Sequence, residues 1–450
     1  MGLLPTYATL GVIAPMLLLL LRIIQGLSLG GEFGGAVTYV AEHAPENRRG
    51  YFTSWIHCTS AVGLVLSTLV IFGTRSAIGD QQFNEWGWRV PFLLSLLLLV
   101  VSVWVRLKLA ESPIFRAMQE SRKITKAPLR DAFGNGRNVR LAFAAMLGCV
   151  AGSAAVSSTG LIYPLLFLNQ TLKVDPLTVN LLVALAITAS VPLFPLVGWL
   201  SDHIGRKPVI VTGCFLGALT FYPAVKLLVH FASPAYEAAI ASAPVEVFVD
   251  RNHCSIMFDP TGTARFLTAC DIARSSLSRA GVSYQIRDGE PGDAAYLTIG
   301  ATRIDAPDGR NLPASELKPK VDAFNSAALQ AVRAAGYPAK ADPAQINLVM
   351  VWLVMFYLAA LVPIAYAVVG ALMVELFPAS IRYTAMSLPY HFGNGWVAGF
   401  LPAAMFALVA ANGNIYFGLW YPIFWATFGG IVTLVFVPET KDTKFEGWHT

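Results

Sequence analysis

The sequence predicts an all-α integral membrane protein, a helix bundle into which a small α/β domain is inserted. Three observations predict it. Hydrophobic residues make up 55% of the 450 and charged residues only 13%, whereas a soluble domain carries about 25% charged residues. The apolar residues gather in repeated runs near the roughly 20 residues that cross a hydrocarbon core. One polar stretch, 231–346, abandons that pattern for short alternating and amphipathic segments.

In chain order, the spans read at 13–41, 52–73, 90–108, 140–168, 177–200, 208–230, 347–374, 384–410 and 414–437. Residues 1–10 read as the tail of a further span. The stretch 109–139 is polar and basic, with Arg116, Arg122, Lys123, Lys126, Arg130 and Arg137. Basic residues in short loops stay on the cytoplasmic side. Placing 109–139 there also places Arg48, Arg49, Arg206, Lys207, Arg382, Lys441 and Lys444 there. The opposite short loops carry little beyond Arg75, Arg89 and Lys173. This orientation puts 231–346 on the periplasmic or extracellular side. The net charge of +5 therefore follows topology, and no nucleic-acid partner is expected.

Within the insertion, VEVFVD, CSIMFD, VSYQI and AAYLTIG read as strands. ARFLTACDIARSSLSRAG and ELKPKVDAFNSAALQAVRAAG read as helices, each closed by glycine. Cys254 and Cys270 lie here. On an oxidising face they either form a disulfide or remain two buried thiols, and both readings stay open. Cys58, Cys149 and Cys214 lie in apolar runs as packing residues. No cysteine spacing suggests a metal site.

The chain repeats itself. Glu42, Pro45 and Arg49 form E-x2-P-x3-R after the first full span, and Glu375, Pro378 and Arg382 repeat it after the seventh. ESP at Glu111–Pro113 and PETK at Pro438–Lys441 follow at similar intervals. A further motif, Gly198-x-x-x-Asp202-x-x-Gly205-Arg206-Lys207, separates the fifth and sixth spans. Its first-half counterpart would fall before residue 1. The sequence thus reads as lacking its first helices, by truncation or a misassigned start, with about 80–100 residues expected upstream. The 450 residues alone are not expected to transport.

These motifs, with RIIQGLSLGGEFGG and ELFPASIRYTAMSLPYHFGNG, resemble the major facilitator superfamily, and within it the metabolite:proton symporter branch. The resemblance covers roughly 1–230 and 347–450. It implies a major facilitator-type bundle in which about nine of twelve spans are present. Residues 1–108 would be a partial N-terminal half, from the end of helix 3 to helix 6. Residues 109–139 would be the cytoplasmic central loop, and 140–230 with 347–450 the C-terminal half. It also implies a proton-coupled, non-enzymatic symporter in the inner membrane, moving a small organic solute by alternating access. A proton gradient would supply the energy without a cofactor, and the protein would work as a monomer. The expected substrate is a di- or tricarboxylate, with a zwitterion such as proline or betaine as the alternative. A receptor or sensor acting through 231–346 is the rival of another class. An ATP-driven pump is disfavoured, because no G-x4-G-K-[ST] loop occurs.

The candidate site residues follow from charge inside spans, which is costly and expected to face the bundle interior. Arg22 and Gln25 are candidates for substrate binding, as are His391, Asn394 and Tyr163. Glu32 and His391 are candidates for proton coupling. A structural Arg–Glu pairing and a packing histidine are the competing readings. His57 is given no role. By resemblance, Asp202, Arg206, Lys207, Glu42, Arg49, Glu375 and Arg382 form a cytoplasmic gate of salt bridges. In the insertion, His253, Cys254, Asp259 and Asp271 are polar candidates whose spacing matches no known site.

Overall fold

Nine helices among the described residues are long and apolar enough to cross a membrane. They are α1 (Ile13–His43), α2 (Glu46–Ile78), α3 (Arg89–Lys108), α4 (Gly136–Thr171), α5 (Pro176–Ile204) and α6 (Arg206–Ala232), followed after the insertion by α10 (Leu348–Leu376), α11 (Arg382–Asn412) and α12 (Phe417–Phe436). The computed structural model describes all residues except 109–110, 121–124, 126, 251, 253, 258–265, 290–293 and 446–450, and the side chains of 8, 27, 29, 30, 113, 117 and 314. The chain is therefore a multi-pass membrane protein.

Burial separates two groups of spans. The most apolar window of α4 is 72% buried, whereas that of α3 is 0% and that of α1 is 7%. Helices α4, α6, α10 and α12 pack on one another, and small residues set their separation. A Cβ on Gly429 would lie 2.5 Å from the Gly152 Cα, and one on Gly213 would lie 2.6 Å from the Ala365 Cα. Such contacts allow backbones to touch, the usual device of packed membrane helices. Helix α2 meets α5 in the same way at Gly50 and Gly198, and α1 lies along α11.

Several spans are interrupted. Helix α10 carries Pro363 and breaks after Tyr366. Helix α11 carries Pro389 and widens into a π-turn over Asn394–Ala398. Proline removes an amide from the ladder and π-turns re-aim side chains, so both breaks position Tyr366 and Asn394.

The insertion contains α7 (Pro234–Ser242), β1 (Val245–Val249), α8 (Ala269–Ala280), β2 (Tyr284–Asp288), β3 (Tyr296–Ile299), β4 (Thr302–Asp305) and α9 (Ala314–Ala334). The four strands form one sheet of order β2-β1-β3-β4. Strands β1 and β2 are parallel, joined through α8, whereas β3 is antiparallel to both β1 and β4. Val245, Val247 and Val249 alternate onto the buried face, the period-2 pattern that marked the strand. Helix α8 begins where the Thr268 hydroxyl accepts from the Asp271 amide at 3.1 Å, and it ends at Gly281 with φ +74°.

Two expectations are corrected here. The described part of CSIMFD, Cys254–Met257, is not a strand. Cys254 is disulfide-bonded to Cys270, with Cα atoms 5.4 Å apart, and the Ser255 amide donates to Asp271 Oδ1 at 2.8 Å. Both contacts tie the segment to α8 rather than to a sheet edge. The fourth strand is instead Thr302–Asp305, paired to β3 through a tight turn at Gly300, φ +57°. Gly-Ala directly after the apolar strand β3 was the available signal. Helix α8 also starts later than its amphipathic pattern suggested, at Ala269.

The insertion is fixed to the end of α11 and to the turn that follows it. The Tyr284 hydroxyl and Arg274 Nε donate to the Ala410 carbonyl at 2.6 and 2.9 Å, and the Tyr284 amide donates to the Gly413 carbonyl at 2.9 Å. Gly413 has φ +87°, which frees its carbonyl to face the insertion without a Cβ penalty.

Candidate functional site

The ionic residues of the repeated motifs converge at one end of the bundle. Gly205, φ +107°, ends α5 and starts α6, and this reversal folds Arg206 back over Asp202. Arg206 Nη1 lies 2.7 Å from Asp202 Oδ1, and Nη2 lies 3.2 Å from Glu375 Oε1. All three side chains are at most 2% exposed. A buried charge survives only when paired and hydrogen-bonded, and the surroundings meet that condition. Asp202 Oδ1 and Oδ2 accept from the Gly50 and Tyr51 amides, each at 2.9 Å. The Thr440 hydroxyl donates to Glu375 Oε2 at 2.7 Å. Glu439 caps the start of α6, accepting from the Arg206 and Lys207 amides at 2.9 and 3.0 Å.

Asp202 thus does two things at once. It neutralises Arg206 on its own side, and it caps the first α-helical turn of α2, which begins at Arg49 after the 3-10 turn Glu46–Arg48 and whose unpaired amides carry partial positive charge. The cap joins a helix of residues 1–108 to one of 140–230.

A second junction crosses between the same groups. Arg382 Nη1 pairs with Glu42 Oε1 at 2.7 Å, with both side chains nearly fully buried. Arg382 Nε also donates to the Val374 and Phe377 carbonyls at 2.8 and 3.2 Å. The Ser112 hydroxyl donates to the other Glu42 oxygen. The glutamate of the first motif copy therefore meets the arginine of the second.

Two of the gate candidates act differently from expectation. Lys207 joins the cluster through its backbone amide, and its ammonium forms no ion pair among the described residues. Arg49 does not pair with Glu375. It donates to the Thr443 carbonyl at 2.7 Å, lies 3.6 Å from Glu46, and stacks on Phe445 at 3.5 Å from the ring centroid. Phe445 also lies under Arg382, at 3.9 Å. The C-terminal segment is thus part of the cluster, which PETK alone did not reveal.

About 12 Å further along α2, two turns beyond Arg49, an aromatic layer fills the contact between the two groups. The Phe33 ring stacks on Tyr390 at 3.6 Å, and the His57 ring meets Tyr366 edge-on at 4.7 Å. The Tyr366 hydroxyl contacts the Tyr390 hydroxyl at 2.9 Å and donates to Asn394 Oδ1 at 2.7 Å. His57 is buried, and its Nε2 has no hydrogen-bond partner among the described residues. Sequence reasoning singled out Asn394 but missed Phe33, Tyr366 and Tyr390 beside it. The layer's signal was the alternation of polar and aromatic residues at the breaks of α10 and α11.

The proposed binding residues do not form one site. Asn394 belongs to the aromatic layer, and the His391 ring lies edge-on to Tyr390 at 5.2 Å. Tyr163 is buried near the opposite end, in a cavity wall beside the insertion. Arg22 and Gln25 lie exposed on α1, with Arg22 Nη1 donating to Gln25 Oε1 at 3.3 Å. Glu32 pairs with Arg106 at 2.6 Å, and both are more than half exposed. The expectation that these three face an interior is therefore not met within this chain. A surface pair of this kind is the structural Arg–Glu alternative, though with Arg106 of α3 as the partner. Of the insertion candidates, His253 and Asp259 lie outside the described residues, and Asp271 serves the turn at Ser255.

Comparison with known proteins accords with this architecture. The Major Facilitator Superfamily family model matches residues 1–227, and the Sugar (and other) transporter family matches residues 323–450. The chain is 34% identical over 214 residues to "Putative transporter YdfJ" of Escherichia coli (strain K12), covering 47% of this chain and 49% of the relative. It is 34% identical over 233 residues to "Putative proline/betaine transporter" of Staphylococcus aureus (strain COL), covering 51% and 48%. It is 35% identical over 232 residues to "Alpha-ketoglutarate permease" of Escherichia coli (strain K12), covering 51% and 52%. The chain spans about half the length of the curated relatives it matches. With one family model covering half of its residues, the chain belongs to the Major Facilitator Superfamily.

Proposed function

We propose that the protein is a secondary transporter that moves a small carboxylate with protons by alternating access. The buried cluster at the basic end is its cytoplasmic gate. One observation carries this reading: Asp202 binds Arg206 and the first amides of α2 together. A contact that both pairs a buried charge and crosses between two helix groups has two discrete arrangements, closed or broken and hydrated. Alternating access needs such a bistable element. With the Glu42–Arg382 pair beside it, the closed arrangement blocks that end and leaves the substrate path open towards the other.

In this scheme substrate and proton enter from the outer side, the halves rock, and the latch breaks as the inner side opens. Water then solvates Asp202, Arg206, Glu42 and Arg382, which offsets the lost pairing. The Tyr366–Tyr390–Asn394 layer lies next inside the latch and supplies hydroxyl and amide groups to a polar solute. The name of one relative, an alpha-ketoglutarate permease, supports a carboxylate substrate. The proline/betaine name of another supports the zwitterion alternative.

Uptake into proteoliposomes holding the full reading frame, under an imposed pH gradient, separates these readings. Citrate, 2-oxoglutarate and succinate are compared with proline and betaine. Carboxylate uptake that collapses with the gradient is expected. Betaine uptake without carboxylate uptake refutes the anion assignment, and uptake indifferent to the gradient refutes proton coupling.

A further inference from the structure

The repeated motif offers two crossings between the helix groups, and one of them is not an ion pair. Glu42 of the first copy takes Arg382 of the second at 2.7 Å. By the same symmetry Arg49 of the first copy would take Glu375 of the second, but Glu375 is held by Arg206 and by the Thr440 hydroxyl. Arg49 is 3% exposed. Among the described residues its ion-pair partner is Glu46, at 3.6 Å and with a side chain 58% exposed. A pair so open to solvent is weak, whereas a buried cation needs close compensation.

Phe445 supplies it. The Arg49 guanidinium carbon lies 3.5 Å from the ring centroid and that of Arg382 lies 3.9 Å from it, well inside the roughly 6 Å over which a ring face attracts a cation. The ring is buried with them. Arg49 Nε and Arg382 Nη2 are buried without a hydrogen-bond partner among the described residues, and the ring face is the negative surface beside both guanidiniums. The segment that carries Phe445 is held in place. The Thr443 carbonyl accepts from Arg49 Nη1 at 2.7 Å, the Thr443 amide donates to the Thr440 carbonyl at 2.9 Å, and the Lys441 ammonium donates to the His203 carbonyl at 3.0 Å. This segment follows α12, so the contact of Phe445 with Arg382 stays within one group, and its contact with Arg49 crosses to the other.

We propose that Phe445 is a positioning residue of the gate, a ring that stands in for the second carboxylate of the repeat and holds Arg49 across the boundary while that end is closed; this rests on reading that end as the gate. Separating the groups breaks the Arg49 contact and hydrates Arg49, and it leaves Arg382 on the ring. The closed state therefore depends on the negative charge of the ring face as well as on its apolar surface, and only the second would matter if Phe445 merely filled space.

The test replaces Phe445 in the whole chain with mono-, di- and trifluorinated phenylalanines, which nearly keep the shape of the ring and progressively weaken its negative face. The reporter is Ser54→Cys, with Cys58, Cys149 and Cys214 replaced by Ala, because Ser54 is fully buried against Gly198. Labelling by N-ethylmaleimide should quicken with each fluorine, and by at least about fivefold at the third. In an Arg49→Gln background the fluorine dependence should disappear, because the Arg382 contact persists when the groups separate. Rates that stay flat through the series, or a dependence undiminished by Arg49→Gln, overturn the proposal. Asp202→Asn in the same reporter tells the two readings apart. Faster labelling with Asp202→Asn beside a flat fluorine series overturns the role of the ring and keeps the latch. No response to either overturns the gate reading and the role of the ring with it.

Discussion

Replacing Asp202 with Asn isolates the ionic part of the latch from its shape. The carboxylate pairs with Arg206 at 2.7 Å and accepts two amides of α2 at 2.9 Å. Removing one partner of a buried pair costs about 3–5 kcal/mol. Arg206 keeps Glu375, so the lower end applies. Asn keeps one acceptor oxygen for a helix amide, which recovers about 1 kcal/mol. In the open arrangement both Asp and Asn are solvated, so nearly all of the remaining loss falls on the closed one. A net shift of about 2 kcal/mol moves the closed–open equilibrium about 30-fold towards open. Ser54 reports on it, since it is fully buried against Gly198 one turn inside the contact. A Ser54→Cys reporter, with Cys58, Cys149 and Cys214 replaced by Ala, is labelled with N-ethylmaleimide. Asp202→Asn should raise the labelling rate by at least about tenfold. An unchanged rate in a folded variant would refute the reasoning that this pair holds the end closed.

Other outcomes follow from the same geometry. Exchanging the charges, Glu42→Arg with Arg382→Glu, should not restore the closed state lost in either single variant. A glutamate at 382 cannot donate to the Val374 and Phe377 carbonyls, and thermal stability should fall by about 3 kcal/mol. Under denaturing, non-reducing conditions a thiol-specific reagent should modify three of the five cysteines, because Cys254 and Cys270 are joined. Reduction should destabilise the insertion by about 3 kcal/mol, given the 16-residue separation. In alkali, Tyr337, Tyr236 and Tyr284 matter together. Burial raises all three phenols, Tyr337 to about 12. The stability tied to their neutral forms is complete below the unfolded value near pH 10 and is lost as pH rises towards about 12. Near-ultraviolet circular dichroism should therefore hold to about pH 10 and fade above it, and Tyr337→Phe should shift the loss to higher pH.

Legibility in the sequence tracked how local each feature is. Nine spans are readable because twenty apolar residues in a row have one physical meaning. Strands β1 and β3 are readable from alternation, but the pairing of Thr302–Asp305 depends on a turn at Gly300 and on a partner. The Cys254 segment failed because a distant contact, the bridge to α8, overrides its β-propensity. The motif charges are legible as residues but not as partners. Nothing in the order of Glu42, Arg49, Glu375 and Arg382 says that Glu42 takes Arg382 while Arg49 turns to Thr443 and Phe445. His57 was invisible for the same reason, since one polar residue in an apolar run acquires meaning only from the rings packed on it. Arg22, Gln25 and Glu32 show the reverse limit: spacing placed them near one helical face, and the structure leaves that face exposed.

The most direct measurement of the transport reading is 2-oxoglutarate uptake by the full reading frame in proteoliposomes, with the outside acidified and then with the gradient abolished. Uptake that accumulates only under the inward proton gradient, and that Asp202→Asn impairs, is the predicted result. Equal uptake with and without the gradient, or no uptake of any carboxylate alongside uptake of betaine, would contradict it.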